Sequence, residues 1–68
     1  MTVYFSSGAA LTATHVGPYQ NLGRTHRAIV AWSRENGHPL TGVCWEIYGD
    51  WDPDPAQLRT ELFHQVRR

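Results

Sequence analysis

Eight residues, Gly42-Val43-Cys44-Trp45-Glu46-Ile47-Tyr48-Gly49, constrain this chain more than any other stretch. Val, Trp, Ile and Tyr favour the pleated, half-buried surface of a strand. Glycine bounds the run at both ends, as turn residues commonly bound strands. Successive side chains in a strand point to opposite faces. Val43, Trp45 and Ile47 therefore share one face, and Cys44, Glu46 and Tyr48 share the other. The first face is wholly apolar, which leads to the expectation that a helix buries it. The second carries an acid between a thiol and a phenol, and nothing else in so short a chain is left to cover it.

With 68 residues the chain is one domain, residues 1–68. A domain of this size hides only about 60% of the surface its unfolded chain exposes, so its core is small. Six arginines balance six acids and lysine is absent. A neutral chain without a basic cluster lacks the positive footprint that nucleic acid demands, so direct nucleic-acid binding is not expected. Arg67-Arg68 reads as a solvated tail. The single cysteine, Cys44, excludes an intramolecular disulfide framework and fits a reducing compartment. No apolar run approaches the roughly 20 residues of a membrane helix. Met1-Thr2-Val3-Tyr4-Phe5 lacks the charged region and apolar core of a signal peptide. A cytoplasmic, non-membrane protein is the expectation.

Residues 1–8 read as a lead-in segment or a short edge strand, through Val3-Tyr4-Phe5. Ala9 to Val16, rich in Thr and Val, reads as a strand that stops at Gly17-Pro18, because proline has no donor for the ladder. Pro18 to Asn36 reads as a helix. Leu22, His26, Ile29 and Ser33 form one stripe at helical spacing, with Thr25, Trp32 and Asn36 beside it. Gly23 either weakens this helix or lets it approach the sheet closely. Asn36-Gly37 is a stop signal, and Pro39 prevents resumption. After the central strand come Asp50-Trp51-Asp52-Pro53-Asp54-Pro55, a turn-rich acidic loop, and a last strand from Leu58 to Val66. The expectation is an α+β fold: one strand-helix-strand-strand module with an antiparallel sheet and a helix on one face. The bare face then asks for water, a ligand or another chain.

Glu46 is the first candidate for function. A mid-strand carboxylate fits a counter-charge for a cationic ligand or a general acid or base, and equally a solvent-facing residue. Tyr48 shares its face and suits stacking or hydrogen bonding. Tyr19 stands at the tight strand-to-helix junction His15-Val16-Gly17-Pro18-Tyr19. A base–nucleophile pair of His15 and Cys44 across strands is the weaker idea. His15, His26, His38 and His64 lie at no recognised metal-ligand spacing, so no metal is expected. No phosphate loop or nucleophile elbow is present, so no cofactor is expected either. Asp50, Asp52 and Asp54 alternate as in a calcium loop, but the prolines and the missing downstream ligands favour solvated turn residues.

Several short motifs in order carry a resemblance. They are His15-Val16-Gly17-Pro18-Tyr19, Leu22-Gly23, Ala31-Trp32, Glu35-Asn36-Gly37, Trp45-Glu46-Ile47-Tyr48, Asp52-Pro53 and Leu58-Arg59-Thr60-Glu61-Leu62. From about Ala9 to Val66 the chain resembles the C-terminal half of the GyrI-like small-molecule-binding domain. That domain is the effector-binding unit of AraC- and MerR-type regulators. The resemblance implies a tandem of two strand-helix-strand-strand modules whose cleft takes apolar, often cationic, ligands. It gives Glu46 the role of counter-charge, with Tyr48 beside it. Tyr19, Cys44 and Phe63 are further candidates for the cleft walls. Only one module is present, so the expectation is a homodimer that supplies the second half; the alternatives are a fragment of something longer or pairing with a separate module. Some relatives hydrolyse cyclopropane-bearing DNA-alkylating drugs, which would make Glu46 and Tyr48 catalytic. Others bind gyrase, which would make the chain a protein-interaction module. No catalytic residue is assigned outside the hydrolase alternative.

Overall fold

A computed structural model describes residues 3–6 and 8–67. Four strands, β1 (Tyr4–Ser6), β2 (Ala10–Val16), β3 (Leu40–Tyr48) and β4 (Arg59–Val66), form one antiparallel sheet in the order β1-β2-β4-β3. One helix, α1 (Leu22–Glu35), lies on one face of it. The protein has an α+β fold. The residues around Tyr4 form the outermost strand beside β2. The expected helix from Pro18 starts later: Pro18 is extended, Tyr19–Asn21 make a 3-10 turn, and α1 begins at Leu22. Among the described residues no helix is long and apolar enough to cross a membrane.

Leu22, Thr25, Ile29 and Ser33 are the buried residues of α1, one side of the cylinder. They face Leu11 and Ala13 of β2 and Leu62 of β4, which are closed off from solvent. Val3, Trp32, Leu40 and Val66 pack around this small core. Gly23 sits on the exposed side, where an added Cβ would meet only the Arg27 Nη1, at 3.4 Å. Close approach to the sheet is therefore not its role. The helix ends in a Schellman motif. Gly37 adopts φ +69°, its N–H reaches the Arg34 carbonyl, and the His38 N–H reaches that of Ser33.

β3 starts two residues earlier than its bounding glycine suggested. Leu40 pairs with Val66, the register slips between Leu40 and Cys44, and Gly42 takes φ +93° within that irregularity. An L side chain is strained there, so glycine lets the strand bend without losing its partner. From Cys44 the ladder with β4 runs regularly to Tyr48↔Thr60.

The faces of β3 are the reverse of the sequence expectation. Residues directly opposite each other across a ladder share a face. Cys44 lies opposite His64, Glu46 opposite Leu62 and Tyr48 opposite Thr60, all on the helix side. Val43, Trp45 and Ile47 point to the uncovered face and are 53%, 42% and 53% exposed. The cause is lateral. α1 packs mainly on β2 and less on β4, so it does not reach far enough to bury β3 on either face. Apolar burial beneath the helix therefore does not decide which way β3 faces. The pairing with β4 and the contact of Glu46 with His26 do.

Candidate functional site

Three rows cross the sheet on the helix side: Leu11–His64–Cys44, Ala13–Leu62–Glu46 and His15–Thr60–Tyr48. In each row the first two residues lie toward α1, and the β3 residue stands just outside its cover. Between α1 and the inner side of β3 lies a half-sheltered margin, the groove, where His26 and Glu46 are each 25% exposed. His26 extends from the helix into it. Its position follows from the helical stripe, four residues after Leu22 and three before Ile29.

Glu46 is the hub. Its Oε1 accepts from the Tyr48 hydroxyl at 2.6 Å, and its Oε2 accepts from His26 Nε2 at 2.6 Å. Both Glu46 and His26 side chains are 25% exposed. The hydrogen bond from His26, and then that from Tyr48, hold the Glu46 carboxyl below its ordinary range, against a smaller opposing effect of burial. The same carboxylate pushes the Tyr48 phenol upward, because ionising Tyr48 would break their bond. Tyr19, from the 3-10 turn, meets Tyr48 edge to face with ring centroids 5.3 Å apart.

The network continues inward. His26 Nδ1 lies 2.8 Å from His64 Nε2. A carboxylate only accepts, so His26 Nε2 carries the hydrogen directed at Glu46. In a neutral His26 ring Nδ1 is then the acceptor, and His64 donates to it. Hydrogen bonds thus link Tyr48, Glu46, His26 and His64 in one chain. His64 is buried, and that burial, followed by the charge of neighbouring His26, moves its imidazole below the usual range. Cys44 stands opposite His64 across the ladder and is exposed. One nitrogen from each of His26 and His64 and the Cys44 Sγ lie within 4.8 Å of one another.

Among the sequence candidates, Glu46, Tyr48, Tyr19 and Cys44 gather at this groove. Phe63 does not. It stacks on Trp45 with centroids 5.3 Å apart on the opposite face, because its ladder partner is Trp45 and strand alternation sets it against Leu62 and His64. His15 does not meet Cys44. Its Nε2 donates to the Pro18 carbonyl at 3.1 Å, and its Nδ1 accepts from the Thr25 hydroxyl at 2.8 Å. That histidine locks the strand-to-helix junction. His26 and His64 are the residues that the sequence did not bring to the site. They lie 20 residues before and 18 residues after positions on β3, so no local spacing joins them. The available signals were the inner stripe of α1 for His26 and the Leu62–His64 alternation for His64.

Comparison with family models, with curated proteins and with solved structures finds no match. The resemblance to the GyrI-like domain rests on its short motifs, and the groove is read from its own chemistry.

A concavity of about 490 Å³ lies at the C-terminal end of α1 between Val30, Arg34, His38 and Leu40. It is open and holds no carboxylate. Glu46 does not line it; the linked ionisable groups are at Glu46, and reactivity and charge recognition depend on groups more than on volume. On the sheet's other face, Tyr4, Thr12, Phe63 and Trp45 form a row across all four strands, flanked by Val43 and Ile47.

Proposed function

We propose that this chain is a small-molecule-binding module of the GyrI-like kind, taking an apolar, cationic ligand at the groove floored by Glu46. The observation that carries the reading is the fixed carboxylate: both Glu46 oxygens accept hydrogen bonds, from Tyr48 and from His26, beside the Tyr19–Tyr48 aromatic pair. A held carboxylate with aromatic rings next to it offers a cation both charge and a π face. Tyr48, Tyr19 and Cys44 form the wall, and Phe63 is no part of it. Charge complementarity of this kind gains strength when water is excluded.

A single chain leaves the groove open on the β3 side. β3 is an outermost strand of nine residues with one side of its backbone ladder free of any partner strand among the described residues. A second copy joined there around a twofold axis would close the groove, and the apolar residues Val43, Trp45 and Ile47 would help bury the junction. Such a homodimer would supply the second module that the GyrI-like resemblance implies.

The test is binding of a lipophilic cationic dye by wild type and by Glu46→Gln. A hydrogen bond to a charged group is worth about 1.5–3 kcal/mol, so loss of the charge should weaken binding by roughly 10- to 100-fold. Equal affinity in the two proteins refutes the reading. Sedimentation at micromolar concentration tests the dimer, and a monomer that still binds dye removes it from the proposal.

The Tyr48–Glu46–His26 chain also favours a second reading, hydrolysis of an electrophilic ring with Glu46 as acid or base and Tyr48 as donor. It ranks second because both Glu46 oxygens are already engaged by donors. Turnover of a cyclopropane-bearing alkylating compound, followed by mass spectrometry, separates it from binding alone.

A further inference from the structure

The hydrogen-bond chain at the groove ends on a feature that cation recognition by Glu46 does not use. His26 and His64 come from different elements, α1 and β4, yet their rings meet at 2.8 Å, nitrogen to nitrogen. Cys44, from β3, brings a sulfur to the same point, so that the three donor atoms lie within 4.8 Å of one another. We propose that His26, His64 and Cys44 form a binding site for a zinc-class divalent cation, with three protein ligands and a fourth position open to the groove.

Donor type comes first. Two imidazoles and a thiolate are the set that zinc, a borderline-soft ion, prefers, whereas magnesium and calcium want oxygen. Spacing comes second. Tetrahedral zinc places donor atoms about 3.3–3.6 Å apart, from Zn–N and Zn–S bonds of about 2.0–2.3 Å. The ring nitrogens now share a hydrogen at 2.8 Å, so a cation between them needs them to part by about half an ångström, and the Cys44 sulfur, in a set that spans up to 4.8 Å, to close in by about 1 Å. Rotation of these side chains supplies movements of that size.

Orientation is the most specific point. Metal-bound histidines generally direct their other ring nitrogen to a carboxylate, which fixes the tautomer and raises the ligand's basicity. His26 is arranged in this way: Nε2 donates to Glu46 at 2.6 Å, and Nδ1 faces His64. Glu46 is itself held by Tyr48. On cation binding Cys44 gives up its thiol proton to solvent, and His64 takes the tautomer with its hydrogen on Nδ1. A thiol–imidazole catalyst would also use Cys44, but it needs only one ring. The second ring at hydrogen-bond distance is surplus to that chemistry and is used by a cation.

This inference is independent of the ligand reading, since dye binding can be measured on metal-free protein. The probe is Co²⁺ titrated into the reduced full chain without chelating buffer, with Zn²⁺ as competitor. The expected result is one Co²⁺ per chain, a thiolate-to-cobalt charge-transfer band, strong tetrahedral visible bands, and displacement by Zn²⁺. Cys44→Ser should abolish the charge-transfer band. His26→Ala should weaken binding at least tenfold, and His64→Ala likewise. Glu46→Gln, a positioning variant, should keep the band but weaken affinity by about 10- to 100-fold. Cys44 is exposed and His26 is 25% exposed, so their variants carry the test should His64→Ala fail to fold by circular dichroism. The proposal is overturned by no charge-transfer band in folded wild type, by undiminished affinity in His26→Ala, or by one Co²⁺ per two chains.

Discussion

The reversal of faces on β3 can be tested with two alanine substitutions. Ile47 lies on the uncovered face and is 53% exposed, whereas Leu62, next to it in the sheet but inward-facing, is fully buried. Complete burial of an isoleucine or leucine side chain is worth about 1.5–3 kcal/mol. At half exposure, and with no enclosed cavity left behind, Ile47→Ala should cost about 1 kcal/mol. Leu62→Ala removes atoms from the centre of the core, where transfer and cavity effects together cost about 2–5 kcal/mol. For a chain of 68 residues the whole stability is about 3–10 kcal/mol, so Leu62→Ala should leave a large unfolded fraction while Ile47→Ala stays folded. Urea unfolding followed by circular dichroism measures both. Equal costs at low protein concentration would put Ile47 beneath the helix and refute the face assignment. A cost for Ile47→Ala that grows with protein concentration instead locates it in the junction between two copies.

Further outcomes follow from single contacts. Thr60 Oγ1 is buried without a hydrogen-bond partner among the described residues, so Thr60→Val should raise the melting temperature, corresponding to about 1 kcal/mol. Gly23→Ala adds a Cβ that meets only the flexible Arg27 side chain on an exposed helix position and should stabilise by up to about 1 kcal/mol, read by the same unfolding assay. The Tyr48 phenol should titrate above the ordinary tyrosine range in near-ultraviolet absorbance, and Glu46→Gln should bring it down. Since its folded value is the higher one, Tyr48 supports the fold below the unfolded tyrosine pKa of about 10, and that support should fade as pH rises through the folded value.

Much of the fold was legible because local chemistry dictates it. Gly17-Pro18 ends β2, Asn36-Gly37 ends α1, and the stripe of Leu22, Ile29 and Ser33 points inward as its spacing requires. What was not legible was which side of β3 the helix would take. The rule that an apolar face goes inward assumes a cover as wide as the sheet. One helix seated mainly on β2 cannot shelter an outermost strand two positions away. The parity was available in Leu58, Thr60, Leu62 and His64, whose burial on alternate positions fixes the inward set of β4 and so of its partner. Reading β3 by itself gave the wrong answer because its own two faces differ in chemistry and not in burial.

That same geometry explains why the polar groups are gathered where they are. A carboxylate and two imidazoles would be costly under the centre of the helix, where nothing replaces their water. Far from the helix they would be ordinary surface. At the margin, α1 lends His26, β4 lends the buried His64, and β3 supplies Cys44, Glu46 and Tyr48 from a strand that is only half sheltered. His26, His64, Glu46 and Tyr48 each find a partner, yet Glu46 and Cys44 stay accessible. The apolar residues that a central strand would have placed inside, Val43, Trp45 and Ile47, are displaced to the opposite face as a result. The uncovered apolar face and the polar groove are therefore two consequences of one parity. A variant that forced β3 to turn over would expose Glu46 on the uncovered face and lose its links to His26 and His64 at once.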